Sequence, residues 1–145
     1  KRRGCVHWCA AVFIDLKQAF DKVWHPQLIH KLTPAGTTLV NIIQSYITNR
    51  FIRMQFDDQM SSSRTTTAGV PQGGILSPLL FSYFLVDIPV SPTIQLWGYA
   101  DDLVITSYGA HASAHLQTTL DDLTRWTARN NMQINHERGS TSVAG

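Results

Sequence analysis

The chain has 145 residues, of which 43% are hydrophobic and 15% are charged, with a formal net charge of +2. This length favours one domain with its own core, and so small a charge does not by itself indicate nucleic-acid binding. No apolar run approaches the roughly 18 residues of a membrane-spanning helix, and the amino terminus lacks the apolar segment of a secretory signal. Cys5 and Cys9 have no further Cys or paired His to complete a zinc site, which favours reduced thiols in an intracellular protein.

The first predicted element is a strand over residues 8–16, an apolar and β-prone run that carries Asp15 near its end. Pro26 then predicts a short helix over residues 26–32, because Pro is favoured in the first helical turn. A Thr-Pro-Ala-Gly sequence at residues 33–36 breaks this helix.

A broad apolar face at helical spacing predicts the next helix, which Thr37 or Thr38 would cap and which would end near Asn49. Two β-prone segments follow, at residues 51–56 and 64–68, and we interpret them as the strands of a hairpin.

Residues 69–74 carry three glycines and a proline, so we expect a loop there. Ser77 before Pro78 is typical of a helix N-cap, and it predicts a helix over residues 79–86. A strand hairpin comes next, and leucines at helical spacing predict a last helix at about residues 112–131. We therefore predict an α+β fold, with an antiparallel sheet and helices packed on one face.

Three Asp-Asp pairs occur in the chain, but only Asp101-Asp102 has strand-like apolar sequence on both sides. The polar surroundings of Asp57-Asp58 indicate a solvated turn, and the helical pattern around Asp121-Asp122 indicates a solvated helix face. Two carboxylates at the tip of an apolar hairpin repel each other and lose solvation, so they need a cation or a network of donors. A divalent metal is the simpler partner, although the pairing alone leaves both alternatives open.

Asp15 is a third acid of interest because it ends an apolar strand. By itself it is typical of an edge strand or a turn. If the strands of Asp15 and Asp101 are neighbours in one sheet, three carboxylates can hold two Mg²⁺ ions roughly 4 Å apart, the arrangement used for in-line displacement at phosphorus.

Three ordered blocks of the sequence resemble the catalytic motifs of reverse transcriptases. They are FIDLKQAFDKV at residues 13–23, AGVPQGGILSPLLF at residues 68–81 and YADD at residues 99–102. The resemblance runs from about residue 10 to 137, and residues 20–25, 46–50 and 87–89 are most similar to non-LTR retrotransposons of the jockey/LINE kind. It implies a palm-type sheet with part of the fingers, as a single partial domain over residues 1–145.

The resemblance also implies catalytic roles. Asp15 and Asp101 would bind two Mg²⁺ ions, for which Mn²⁺ can substitute, with help from the Leu16 carbonyl, and Asp102 would tune or complete the site. In such a site one metal activates the primer 3′-hydroxyl, and the other neutralises the triphosphate and the leaving pyrophosphate.

Nucleotide binding is implied for Phe20, Gln72 and Gly73. The Phe20 ring would lie under the sugar of the incoming dNTP and would clash with a 2′-hydroxyl, although a core Phe is the alternative. Gln72 and Gly73 would contact template and nucleotide, unless their loop is a plain turn between strand and helix.

Four arginines are candidate contacts for template or primer phosphates, with a solvated surface as the alternative; they are Arg50, Arg53, Arg64 and Arg138. Arg138 stands where the resembled family often has Lys, which is not a neutral exchange. Ile134 begins a possible last strand, and we expect residues 139–142 not to be strand-like.

The resemblance implies an RNA-directed DNA polymerase that takes an RNA template, a DNA primer and dNTPs, with no membrane contact, inside a cytoplasmic or nuclear ribonucleoprotein. Upstream finger strands, a thumb and an endonuclease are expected outside this chain, which begins on Lys1 and is interpreted as a piece of a longer protein. The alternatives are a catalytically inactive remnant, a group II intron-type reverse transcriptase or maturase, and an interaction module with solvated acids.

Overall fold

The computed structural model describes residues 9–135 and 140–144. In chain order, the strands are β1 (Cys9–Asp15), β2 (Phe51–Ile52), β3 (Gln55–Phe56), β4 (Gln59–Met60), β5 (Arg64–Thr65), β6 (Ile94–Tyr99), β7 (Asp102–Tyr108) and β8 (Ser140–Ala144). The α-helices are α1 (His25–Leu32), α2 (Thr37–Ile47), α3 (Ser77–Phe84) and α4 (Ala112–Arg129). The chain divides into two compact units: the second comprises Phe20–Val86, and the first comprises the described residues on either side of it.

The first unit is a four-stranded antiparallel sheet in the order β6-β7-β1-β8, with α4 packed on one face. Side chains alternate between the two faces of a strand, so Ile14, Leu103 and Ile105 all point to one side and are buried. Leu116 and Leu123 of α4 are also buried. The predicted α+β class, with an antiparallel sheet and a helix on one face, is confirmed.

The opposite face of this sheet carries large apolar side chains that remain exposed. The register places Phe13, Val104 and Trp97 side by side across β1, β7 and β6. Phe13 is 43% exposed and Trp97 is 61% exposed. Because antiparallel partners share a face, Asp15 and Asp102 lie on this same side of the sheet.

The carboxyl-terminal strand was not expected. Residues 140–144 form β8, which pairs with β1 from Phe13↔Ser140 to Cys9↔Ala144, so the prediction of no strand there was wrong. An edge strand is held by backbone hydrogen bonds, which a run of Ser and Thr does not prevent, and such a run carries no apolar periodicity that a sequence pattern can detect. Ile134 forms a single bridge with Leu16 instead of beginning a strand.

In the second unit, α1 packs against both α2 and α3. Its core consists of apolar side chains with almost no exposure, among them Val23, Leu28, Ile47, Phe81 and Phe84. The predicted hairpin is present in part: β2 pairs with β5, and the chain between them forms a second, smaller ladder of β3 with β4. The exposed Asp57-Asp58 pair lies in the tight turn of that ladder, as predicted.

Two predicted helix caps were wrong. Gly36, not Thr37 or Thr38, precedes α2, and Ser77 is the first residue of α3. The Ser77 hydroxyl donates instead to the Pro71 carbonyl at 2.5 Å, which closes the preceding loop. A Ser near a helix start has several backbone partners within reach, and the fold of the loop decides between them.

Within the described ranges, no helix combines the length and the apolar character needed to cross a membrane.

Candidate active site

Two of the predicted acids lie directly opposite each other in the first unit. β1 and β7 are antiparallel neighbours, and their register pairs Asp15 with Asp102. Side chains of such partners leave the same face of the sheet about 5 Å apart at Cβ. Asp15 is half-buried and Asp102 is exposed. Asp15 and Asp102 are 87 positions apart along the chain, yet their strands are neighbours in the sheet. The local sequence around either acid does not predict this pairing.

Asp101 lies in the two-residue connection between β6 and β7. The strands close with the pair Tyr99↔Asp102, so Ala100 and Asp101 form the turn. Ala100 has a φ of 53°, in the left-handed region. The Asp101 carbonyl accepts a hydrogen bond from the Leu16 N–H at 3.3 Å, which ties the turn to the end of β1.

The tip of this hairpin is open to solvent, which corrects one premise of the sequence argument. Tyr99 is 85% exposed and Asp102 is also exposed, whereas Asp101 is half-buried, so the Asp102 carboxylate is not desolvated as expected. Asp102 still stands directly opposite Asp15, which leaves two like charges side by side and favours a cation. Among the described residues, neither Lys nor Arg forms an ion pair with Asp15, Asp101 or Asp102.

The donor set suits a hard divalent cation. Within residues 9–135 and 140–144 no three Asp, Glu, His or Cys side chains form a ready-made metal cluster. Mg²⁺ is usually bound through one or two carboxylates, together with water and substrate phosphates, rather than by an all-protein cage. The carboxylate pair Asp15 and Asp102 fits that mode of binding.

The structure adds one residue that the sequence argument missed. Asn135 Nδ2 donates to Asp15 Oδ2 at 2.8 Å, and the Asn135 N–H donates to the Asp15 carbonyl, also at 2.8 Å. Next to it, the Lys17 N–H donates to the Gln133 carbonyl at 2.8 Å. Asn135 matches the Asn that opens the Asn-Pro-Glu-Lys-Thr stretch of the resembled family, but its contact with Asp15 joins residues 120 positions apart, which the sequence pattern does not show.

The other predicted site residues lie in the second unit. Phe20 is half-buried and stacks on the buried Phe81, with ring centroids 4.6 Å apart and planes 30° apart. One face of the Phe20 ring therefore serves packing, in line with the core alternative. Its contact with a nucleotide sugar stays a prediction.

Gln72 and Gly73 are both exposed. Gln72 Nε2 donates to Asp21 Oδ1 at 2.8 Å, which orients the Gln72 amide. Gly73 has a φ of +76°, and a Cβ built on it meets no atom within 4 Å. Glycine is needed there for backbone conformation, and the open space leaves the backbone accessible to a ligand.

Arg50 lines a cleft of about 530 Å³ in this unit together with Asp21 and Gln72. Arg53 and Arg64 are exposed, and Arg64 pairs with Ile52 across the β2–β5 ladder. Arg138 lies outside the described residues. The structure thus groups Arg50 with Gln72, whereas phosphate binding by the four arginines stays a prediction.

Comparisons with known proteins identify one family over most of the chain. Residues 6–142 match the family described as reverse transcriptase (RNA-dependent DNA polymerase). The chain is 33% identical over 145 residues to the RNA-directed DNA polymerase from mobile element jockey of Drosophila melanogaster, covering 90% of this chain and 16% of that protein. It is 36% identical over 146 residues to the probable RNA-directed DNA polymerase from transposon BS of the same organism, with the same coverage.

Solved structures show the same fold. Telomerase from Candida tropicalis, in complex with a TWJ fragment of telomeric RNA, superposes with a TM-score of 0.74 at 12% identity, covering 99% of this chain and 27% of that one. The chain spans about 16% of the length of the curated relatives named above. The predicted resemblance to non-LTR retrotransposons of the jockey kind is confirmed, and the match over residues 6–142 shows that the chain belongs to the reverse transcriptase (RNA-dependent DNA polymerase) family.

Proposed function

We propose that this chain carries the catalytic palm of an RNA-directed DNA polymerase of a non-LTR retrotransposon. In this proposal it acts within a longer polypeptide and a ribonucleoprotein, and it joins dNTPs to a primer 3′-hydroxyl on an RNA template. The observation that carries the proposal is the pairing of Asp15 with Asp102 on adjacent strands, in a chain that belongs to the reverse transcriptase family.

Asp15, Asp101 and Asp102 would hold two Mg²⁺ ions, for which Mn²⁺ can substitute, with the Leu16 carbonyl as a further oxygen donor. When bound, Mg²⁺ supplies the positive charge that favours loss of the hydroxyl proton and that stabilises charge on the transferred phosphoryl group. The protein contributes by holding the metal-binding side chains in position. β1 and β7 hold Asp15 and Asp102 side by side, and the Leu16 N–H holds the turn that carries Asp101.

In this proposal, residues of the second unit bind and select the incoming nucleotide. The exposed Gln72 amide and the accessible backbone at Gly73 would contact nucleotide and template, and the free part of the Phe20 ring would exclude a 2′-hydroxyl. Arg50, which lines the same cleft as Gln72, would contact backbone phosphate without regard to sequence.

Primer extension on an RNA template tests the proposal. In a protein that contains the whole chain, we expect Asp15→Asn and Asp102→Asn each to lower the extension rate by about 10³-fold or more, because metal ligation contributes several kcal/mol to the transition state. Asp57→Asn is the matched control, since Asp57 belongs to an Asp-Asp pair in an exposed turn.

Extension that survives Asp15→Asn at the wild-type rate would contradict the metal assignment. A wild-type protein that folds and binds the template but extends no primer would favour the inactive remnant.

A further inference from the structure

Asn135 forms a hydrogen bond with Asp15, the residue that the proposed function places at the metal. Its side-chain amide donates to Asp15 Oδ2 at 2.8 Å, and both residues are half-buried. Asp15 Oδ1 accepts no hydrogen bond from any residue in the described part of the chain. One carboxylate oxygen is therefore held while the other remains available to a ligand.

The backbone around this contact is fixed independently of the Asn135 side chain. The Asn135 N–H donates to the Asp15 carbonyl, the Lys17 N–H donates to the Gln133 carbonyl, and Ile134 bridges Leu16. These backbone contacts hold the segment against the end of β1 whatever the side chain at position 135. The amide contact therefore acts on the orientation of the Asp15 carboxylate.

The chemical type of the donor also matters. A Lys or Arg at this position would satisfy the carboxylate, but its positive charge would compete with a bound cation. An amide donates a hydrogen bond without adding charge, so the carboxylate keeps its full attraction for a divalent ion. Groups that orient a metal ligand in this way typically change metal affinity or activity by about 10- to 100-fold when they are removed.

We propose that Asn135 is a positioning residue that presents Asp15 Oδ1 to a catalytic divalent cation; this inference rests on the proposed function. Asn135 does not touch the metal or the substrate. It holds the Asp15 carboxylate in one orientation before the cation arrives, so less ordering has to accompany metal binding.

Electron paramagnetic resonance of Mn²⁺ with the full chain measures this effect without any need for polymerase activity. We expect Asn135→Ala to weaken Mn²⁺ binding by about 10-fold or more. Asp15→Ala should weaken it further, and the double variant should bind no more weakly than Asp15→Ala alone, because Asn135 acts only through Asp15.

Asn130→Ala is the matched control. The buried Asn130 donates its side-chain N–H to the Trp126 carbonyl at 2.9 Å in the same unit. This variant should lower the melting temperature and leave Mn²⁺ affinity unchanged.

Three outcomes would overturn the inference. If Asp15→Ala weakens Mn²⁺ binding and Asn135→Ala does not, the positioning role is wrong while the metal assignment stands. If Asn130→Ala and Asn135→Ala weaken binding equally, the role of Asn135 is only structural. If neither Asp15→Ala nor Asn135→Ala changes the affinity, the metal assignment itself is wrong, and the positioning role falls with it.

Discussion

At the scale of single residues, Ala100 has the least expected conformation in the candidate site. Its φ of 53° lies in the left-handed region, which costs residues other than Gly about 1–2 kcal/mol. A two-residue connection between twisted antiparallel strands requires a positive φ in the turn, and Ala has the smallest side chain after Gly. The turn that carries Asp101 therefore contains local strain that the surrounding sheet maintains.

This strain makes position 100 sensitive to branching at Cβ. We expect Ala100→Val to lower the free energy of unfolding by about 1–2 kcal/mol, because β-branched residues rarely adopt positive φ. Ala100→Gly is the matched comparison and should change it by less than about 1 kcal/mol, since relief of strain opposes the greater freedom of the unfolded chain. Chemical denaturation measures both values, and equal losses in the two variants would contradict the left-handed turn.

At the scale of elements, the loop before α3 is held by contacts with residues that precede α1 or begin it. The Gly69 N–H donates to the Val23 carbonyl at 2.9 Å, and the Gly69 carbonyl accepts from His25 Nε2 at 2.7 Å. A Cβ at Gly69 would come within 2.9 Å of the Asp21 carbonyl oxygen. This glycine allows the loop that carries Gln72 to approach Asp21 closely.

We expect Gly69→Ala to destabilise the protein by about 2 kcal/mol or more, because a positive φ and a backbone clash act together. Gly73→Ala provides the control: its φ is also positive, but its Cβ would meet nothing within 4 Å, so only the conformational cost of about 1 kcal/mol remains. Thermal unfolding of the two variants compares them. Equal losses of stability in the two variants would show that the close approach to the Asp21 backbone adds nothing to the cost at Gly69.

Element boundaries that depend on local chemistry agreed well with prediction, as for the helices near residues 26–32 and 112–131. The caps at Thr37 and Ser77 and the strand β8 did not agree. In two of these places a backbone partner outside the element decided the outcome: the Pro71 carbonyl for Ser77 and β1 for β8.

At the scale of the whole molecule, the family match extends across both compact units. The sequence assigned Asp15, Phe20 and Gln72 to one site, and the structure describes Asp15 in one unit and the other two in the second. Their assignment to one site stays a prediction.

Metal binding should raise the stability of the folded protein. A ligand that binds only the folded state at 100 times its dissociation constant stabilises a protein by about 2.7 kcal/mol. We therefore expect the melting temperature to rise on addition of Mg²⁺ or Mn²⁺ and to fall back on chelation. Asp57→Asn should respond like the wild type. Asp15→Ala should lose most of the shift, and an undiminished shift in that variant would contradict a metal site at Asp15.

The sequence by itself determined the α+β class, the order of the three motifs and the acids that carry them, because strand patterning, turn residues and short motifs are local properties of the chain. Only the tertiary structure decided that Asp102 stands opposite Asp15, that Ala100 is left-handed and that Asn135 reaches the Asp15 carboxylate. These three facts depend on strand register and on contacts between residues as far as 120 positions apart, which no local pattern encodes.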